Sequence, residues 1–147
     1  MSPDLSYVGK ALPPSAPYVV GREKLREFAS AIGETDPCCH DVAAARAAGH
    51  PDLIAPPTFP GSFTMAVMME LLGDPDFGWD FDRMVHGDQG IRFQRPVYAG
   101  DELVTTLHVD DLRTRAGSHF LSLRCEVATV DGEAVLTTNA TLVTQAA

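Results

Sequence analysis

Between Phe59 and Leu72 the chain is apolar nearly all round, interrupted only by Ser62, Thr64 and Glu70. A helix of that kind has no broad polar face to give to solvent, so the rest of the chain must cover it on most sides. Gly73-Asp74-Pro75 stops it. The Asp-rich stretch from Asp74 to Asp82 reads as a surface loop tacked down by Phe77, Trp79 and Phe81. After residue 84 the apolar period falls to two, the mark of strands with one buried face. Ile91, Phe93 and Arg95 alternate up to Pro96. The pattern repeats from Leu103 to Val109, from Leu121 to Val127 and from Leu136 to Leu142. Turn sequences around Gly100, Gly117 and Gly132 lie between these segments, which predicts an antiparallel meander.

Upstream, residues 1–20 are Pro-rich and extended, because Pro13, Pro14 and Pro17 exclude helix. Residues 1–17 form an extended N-terminal segment. After Gly21, the residues Leu25, Phe28, Ala29 and Ile32 fall at helical spacing, and Gly33 closes that helix. Asp41 is placed to cap a short second helix, Val42 to Ala48, ended by Gly49. A stiff loop follows from Pro51 to Pro57. Helices first and strands afterwards indicate an α+β domain. At 147 residues the chain fits one domain with a real core.

A formal charge of −9 argues against nucleic acid, since no basic stripe is present to displace counterions from phosphates. It also argues against an anionic carrier protein or membrane surface unless Arg92, Arg95, Arg113 and Arg115 form a local patch. The apolar run around Phe63 to Leu72 is too short to span a bilayer, so membrane insertion is not expected. The first twenty residues lack the basic start and apolar core of a signal peptide. Three cysteines, two of them adjacent, make no disulfide framework and read as free thiols in a reducing cytoplasm. No metal constellation, phosphate loop or nucleophile elbow is present, and no cofactor is expected.

Two motifs carry the functional reading. One is Gly33-Glu34-Thr35-Asp36-Pro37-Cys38-Cys39-His40-Asp41, and the other is Phe93-Gln94-Arg95-Pro96-Val97-Tyr98-Ala99-Gly100-Asp101. The first resembles the catalytic loop of MaoC-like (R)-specific hydratases and dehydratases, Gly-Asp-x-Asn-Pro-x-His-x-Asp. From about Tyr18 to Val143 the chain is similar to the actinobacterial branch of that family, the group of mycobacterial HadA-type dehydratase subunits. Ile54-Ala55-Pro56-Pro57-Thr58-Phe59 and His86-Gly87-Asp88-Gln89 strengthen the match. The resemblance implies a single hot-dog fold, a long central helix wrapped by an antiparallel sheet. It implies dehydration of (3R)-hydroxyacyl thioesters of acyl carrier protein or coenzyme A, in fatty-acid or polyketide metabolism. It further implies a homodimer, or a heterodimer with a second MaoC-type chain.

That chemistry needs a base for the proton alpha to the thioester, an acid for the departing hydroxyl, and an N–H donor for the thioester oxygen. Three positions depart from the catalytic pattern. Glu34 stands where Asp is expected, and Cys39 where His is expected, with His40 one residue late. Pro57 stands at the oxyanion-hole Gly, and proline has no N–H to donate. Glu34, Asp36, His40 and His86 are therefore the candidate acids and bases. Cys39, Pro57, Thr58, Phe59, Phe63 and Gln89 are candidate substrate contacts. Each has a bland alternative. Asp36 and Asp41 suit turn and helix caps, the cysteines suit a core, and His86 suits a structural imidazole. His50, His108 and His119 read as loop and strand-surface residues, and Met65, Met68 and Met69 as core or as walls of an acyl channel.

The favoured reading is the subunit that shapes the acyl channel while a partner supplies Asp, His and oxyanion hole. A self-sufficient homodimer, a hot-dog thioesterase and a non-catalytic acyl-binding scaffold remain open.

Overall fold

The apolar run becomes α3 (Gly61–Leu72), with Pro60 at its N-cap. Phe59 lies in the turn just before it and is fully buried. The one hydroxyl inside the buried face is satisfied, because Thr64 Oγ1 donates to the Pro60 carbonyl at 2.9 Å. Phe63, Val67, Met68, Leu71 and Leu72 face the core, each contributing roughly 1.5–3 kcal/mol through burial. Ser62, Ala66 and Glu70 form a narrow exposed stripe at four-residue spacing.

The computed structural model describes residues 2–146. The other elements are β1 (Tyr18–Val19), α1 (Arg22–Ala31), α2 (Val42–Ala47), β2 (Val85–Phe93), β3 (Glu102–Arg115), β4 (Ser118–Thr129) and β5 (Ala134–Gln145). Asp41 caps α2 as expected, accepting from the Ala43 N–H. The five strands make one antiparallel sheet in the order β1-β3-β4-β5-β2. Irregularities between His86 and Asp88, Val109 and Asp111, and Val127 and Ala128 add local twist and curl it. At the first of these, a Cβ on Gly87 would sit 3.3 Å from the Thr141 carbonyl oxygen, tighter than ordinary contact, so glycine eases the close approach of β5.

Four expectations are corrected. Only β3, β4 and β5 form a meander; β2 pairs with β5 on the far edge, and residues 94–101 cross the sheet end to reach β3. The first 17 residues are not wholly extended. Leu5–Tyr7 make a 3₁₀ turn, because the Asp4 carboxylate accepts from both Ser6 N and Ser6 Oγ upstream of the prolines. Phe77 and Trp79 are buried and stacked, but Phe81 lies past them and is half exposed. His119 is buried rather than superficial, because the inward alternation of Leu121, Leu123 and Cys125 on β4 begins one step earlier than the sequence suggested.

The two sheet edges are treated differently. Gly9, Leu12 and Ser15 donate backbone hydrogen bonds to Val109, Leu107 and Thr105, so the N-terminal arm covers β3 before β1 takes over. On the other edge, β2 is exposed along nearly its whole length.

Candidate active site

The loop after α1 is built from its own side chains. Gly33 turns the chain at φ +72°, a conformation that other residues rarely adopt. The Asp36 N–H then donates to Glu34 Oε1 at 2.9 Å, and the Cys38 N–H donates to Asp36 Oδ1 at 2.9 Å. His40 Nε2 donates to the Glu34 carbonyl at 2.7 Å and staples the two ends of the loop. A carbonyl only accepts, so Nε2 must carry the proton. Arg26 Nε holds the His40 carbonyl at 2.8 Å. The Ile54 N–H reaches the Cys38 carbonyl at 3.1 Å and draws the Ile54–Pro57 segment against the loop.

Between the loop, the Ile54–Pro57 segment and the end of β2 lies a cleft of about 550 Å³. Glu34, Asp36, Cys39 and Pro57 all line it. Its second wall is Phe93 to Pro96, which the candidate residues did not include. Arg95 anchors that wall through Asp101, 2.9 Å and 3.0 Å from its two terminal nitrogens, and through Glu133, 2.8 Å from Nε. The Asp101 hydrogen bonds, with Glu133 in support, raise the already high Arg95 pKa, so the guanidinium stays charged and engaged. The signal for this wall was the Arg95-to-Asp101 spacing, six residues apart around Pro96 and Gly100. Only the fold shows that the corner faces Glu34.

The remaining candidates lie elsewhere. His40 faces away from the cleft, into a shallow depression with Ser30, Gly33 and Asp41. His86 and Gln89 are exposed on β2. Thr58 is exposed, while Phe59 and Phe63 are core residues, Phe63 stacked on Tyr18 and Phe59 edge to face with Phe28. The four arginines do not form one patch. Arg113 and Arg115 end β3 opposite Phe120 and Ser118, Arg92 pairs with Thr137 near the cleft, and Arg95 is neutralised.

Two carboxylates thus line the cleft, and no imidazole joins them. Burial pushes the Cys39 thiol up to about 11, with Asp36 and Glu34 adding to the shift, so at neutral pH it is neither base nor nucleophile. Among the described residues, no cluster of His, Cys, Asp and Glu is arranged to hold a metal ion. No helix there is long and apolar enough to cross a membrane.

A buried helix wrapped by a curled five-stranded antiparallel sheet is a hot-dog domain of the α+β class. The chain belongs to the FAS1-like dehydratase domain family, which it matches over residues 6–138. It is 49% identical over 140 residues to a UPF0336 protein of Saccharopolyspora erythraea, covering 95% of this chain and 90% of that one. It superposes with a TM-score of 0.85 on a chain of the HadBC (3R-hydroxyacyl-ACP dehydratase) complex of Mycobacterium tuberculosis. Identity there is 30%, covering 93% of this chain and 96% of the other. A MaoC-like dehydratase gives a TM-score of 0.87 at 31% identity, with 97% of this chain matched to 43% of that longer one.

Proposed function

We propose that this chain is a subunit of a (3R)-hydroxyacyl-thioester dehydratase, working on carrier-protein or coenzyme A thioesters in fatty-acid or polyketide metabolism. In this reading it shapes the acyl channel. A MaoC-type partner supplies the catalytic Asp and His and the oxyanion-hole N–H. The observation that carries it is the state of the cleft. It has the place and one carboxylate of a hydratase site, but a protonated thiol where the imidazole belongs and a proline where the N–H donor belongs.

The partner in this reading docks on β2. That edge is bare while β3 is covered, and an uncovered nine-residue edge is a liability a protein removes by pairing. The dehydratase on which this chain superposes is itself described as a complex, HadBC. The self-sufficient homodimer draws on one observation, that Glu34 and Asp36 both line the cleft. Reconstitution separates the two. The purified chain is assayed on 3-hydroxyacyl and trans-2-enoyl thioesters of several lengths, alone and with a MaoC-type chain bearing an intact Asp/His loop. Turnover that requires the mixture, and that depends on acyl length through this chain, supports the paired enzyme. Equal turnover without the partner refutes it.

A further inference from the structure

The cleft has lost catalytic groups but has kept the form of a binding site. Most of the hydrogen-bond donors on its walls are already engaged. Pro56, Pro57 and Pro96 have no N–H. Ile54 and Ala55 donate theirs to the Cys38 and Val97 carbonyls. The Arg95 guanidinium is held by Asp101 and Glu133. Glu34 and Asp36, when ionised, only accept.

Gln94 differs from all of these. Its backbone N–H donates to the Val135 carbonyl at 2.8 Å, which fixes the residue just past the end of β2. It lines the cleft between Phe93 and the anchored Arg95, and it is exposed. Its carboxamide has no hydrogen-bond partner among the described residues. A carbonyl entering this apolar-walled space finds a neutral amide donor there, held on a wall that the Arg95–Asp101 pair keeps in place.

We infer that the cleft of this chain is an acyl-thioester binding site in its own right, without turnover, in which the Gln94 carboxamide donates a hydrogen bond to the thioester carbonyl. The ligand class rests on the dehydratase reading above. The site is additional to the one the partner would provide. Such a side-chain amide meets the carbonyl of the resting ligand; it does not replace the fixed backbone donor, aimed at the developing oxyanion, that turnover needs. Without a positioned imidazole, it binds the ligand and leaves it unchanged.

The test is a chemical double-mutant cycle read by calorimetry on the full-length chain. The ligands are trans-2-butenoyl-CoA and its thioether counterpart, in which CH2 replaces the carbonyl. The proteins are wild type, Gln94→Ala and Gln94→Glu. Wild type should bind the thioester about 3- to 10-fold tighter than the thioether, the worth of one neutral hydrogen bond. Gln94→Ala should bind the two equally. Gln94→Glu, which keeps the shape but replaces the donor by an acceptor, should disfavour the thioester. The enoyl ligand should be recovered intact. A carbonyl preference that survives in Gln94→Ala overturns the role of Gln94 while leaving the dehydratase reading standing. Failure of wild type to bind either ligand overturns the site and its thioester assignment together. Consumption of the ligand by wild type overturns the claim of binding without turnover, and the partnered reading with it.

Discussion

Arg95 and Asp101 form a two-pronged ion pair, 2.9 Å and 3.0 Å, across the corner where the chain leaves β2 for β3. Asp101 also accepts the Tyr98 N–H at 2.8 Å, so one carboxylate closes the whole turn. That turn carries the Val97 carbonyl, which receives the Ala55 N–H, and Ala99, whose N–H meets the Leu53 carbonyl. The cleft walls are therefore tied to each other through the ion pair.

Asp101→Asn keeps an acceptor for Tyr98 but removes the charge facing the largely buried Arg95 guanidinium, leaving it Glu133 as its only anionic partner and the Pro96 carbonyl. We expect a loss of about 1–3 kcal/mol in unfolding free energy, read as a lower urea midpoint with unchanged slope. Hydrogen exchange should quicken at Ala55 and Ala99 before it does in β4. No shift in midpoint, or no change in exchange at those two amides, would show that the corner is held by other contacts.

Arg22 and Asp52 make another two-pronged pair, at 2.7 Å and 3.0 Å, linking the start of α1 to the loop before Leu53. The Arg22 hydrogen bond holds the Asp52 carboxyl down at about 2, below its usual 3.8. A lowered carboxylate pKa means stability that is present above about 3.8 and is lost as pH falls from there toward 2. Arg22 is half exposed, so solvent screening limits the effect to about 1 kcal/mol. Asp52→Asn should lower stability by that amount at pH 7 and flatten the acid limb of the stability curve. A variant as stable as wild type at pH 7 would contradict this.

Some elements of this fold are written in local sequence and others are not. α3 and the three long strands follow from local periodicity, because each buries a fixed face whatever its neighbours are. The seat of β2 beside β5 does not follow. Val85 to Gln89 are exposed on both faces, so no local pattern says which neighbour they join. Half of the cleft was legible because Glu34, Asp36 and Cys39 come from one contiguous motif and Pro57 from a recognisable neighbour. Phe93 to Arg95 were missed as a wall because a long-range bond to Val135 and the crossover bring them there. His40 was legible as a residue and not as a role. Its ring turns back to the Glu34 carbonyl, a local bond that spacing alone does not reveal.

Assembly is testable at the bare edge. Sedimentation of the chain, alone or mixed with a MaoC-type chain, should give a dimer at micromolar concentration. Gln89→Pro on β2 should shift it toward monomer, since the Gln89 N–H alternates with that of Gln94, which bonds to β5, and so faces the open edge, where proline removes it. A stable monomer with and without the partner, its β2 amides exchanging freely, would refute edge pairing.

Restoring one catalytic group should achieve little. In Cys39→His the imidazole regains its place in the motif, yet Pro57 still has no N–H to offer. The isolated variant should remain within about tenfold of wild type in enoyl hydration, because groups that act as a unit fail as a unit. A rise of about 10²-fold or more, the scale of a restored acid–base group, would show that the cleft already has an oxyanion donor.

The most direct measurement is the initial rate of trans-2-enoyl thioester hydration by the purified chain without a partner. Loss of an oxyanion donor removes about 10²–10³ in rate, and loss of a positioned imidazole about 10²–10⁴. The rate should lie at or near background for every acyl length, with turnover appearing when a MaoC-type partner is added. Brisk hydration by the chain alone, abolished by His86→Ala or His40→Ala, would contradict it and establish the self-sufficient homodimer.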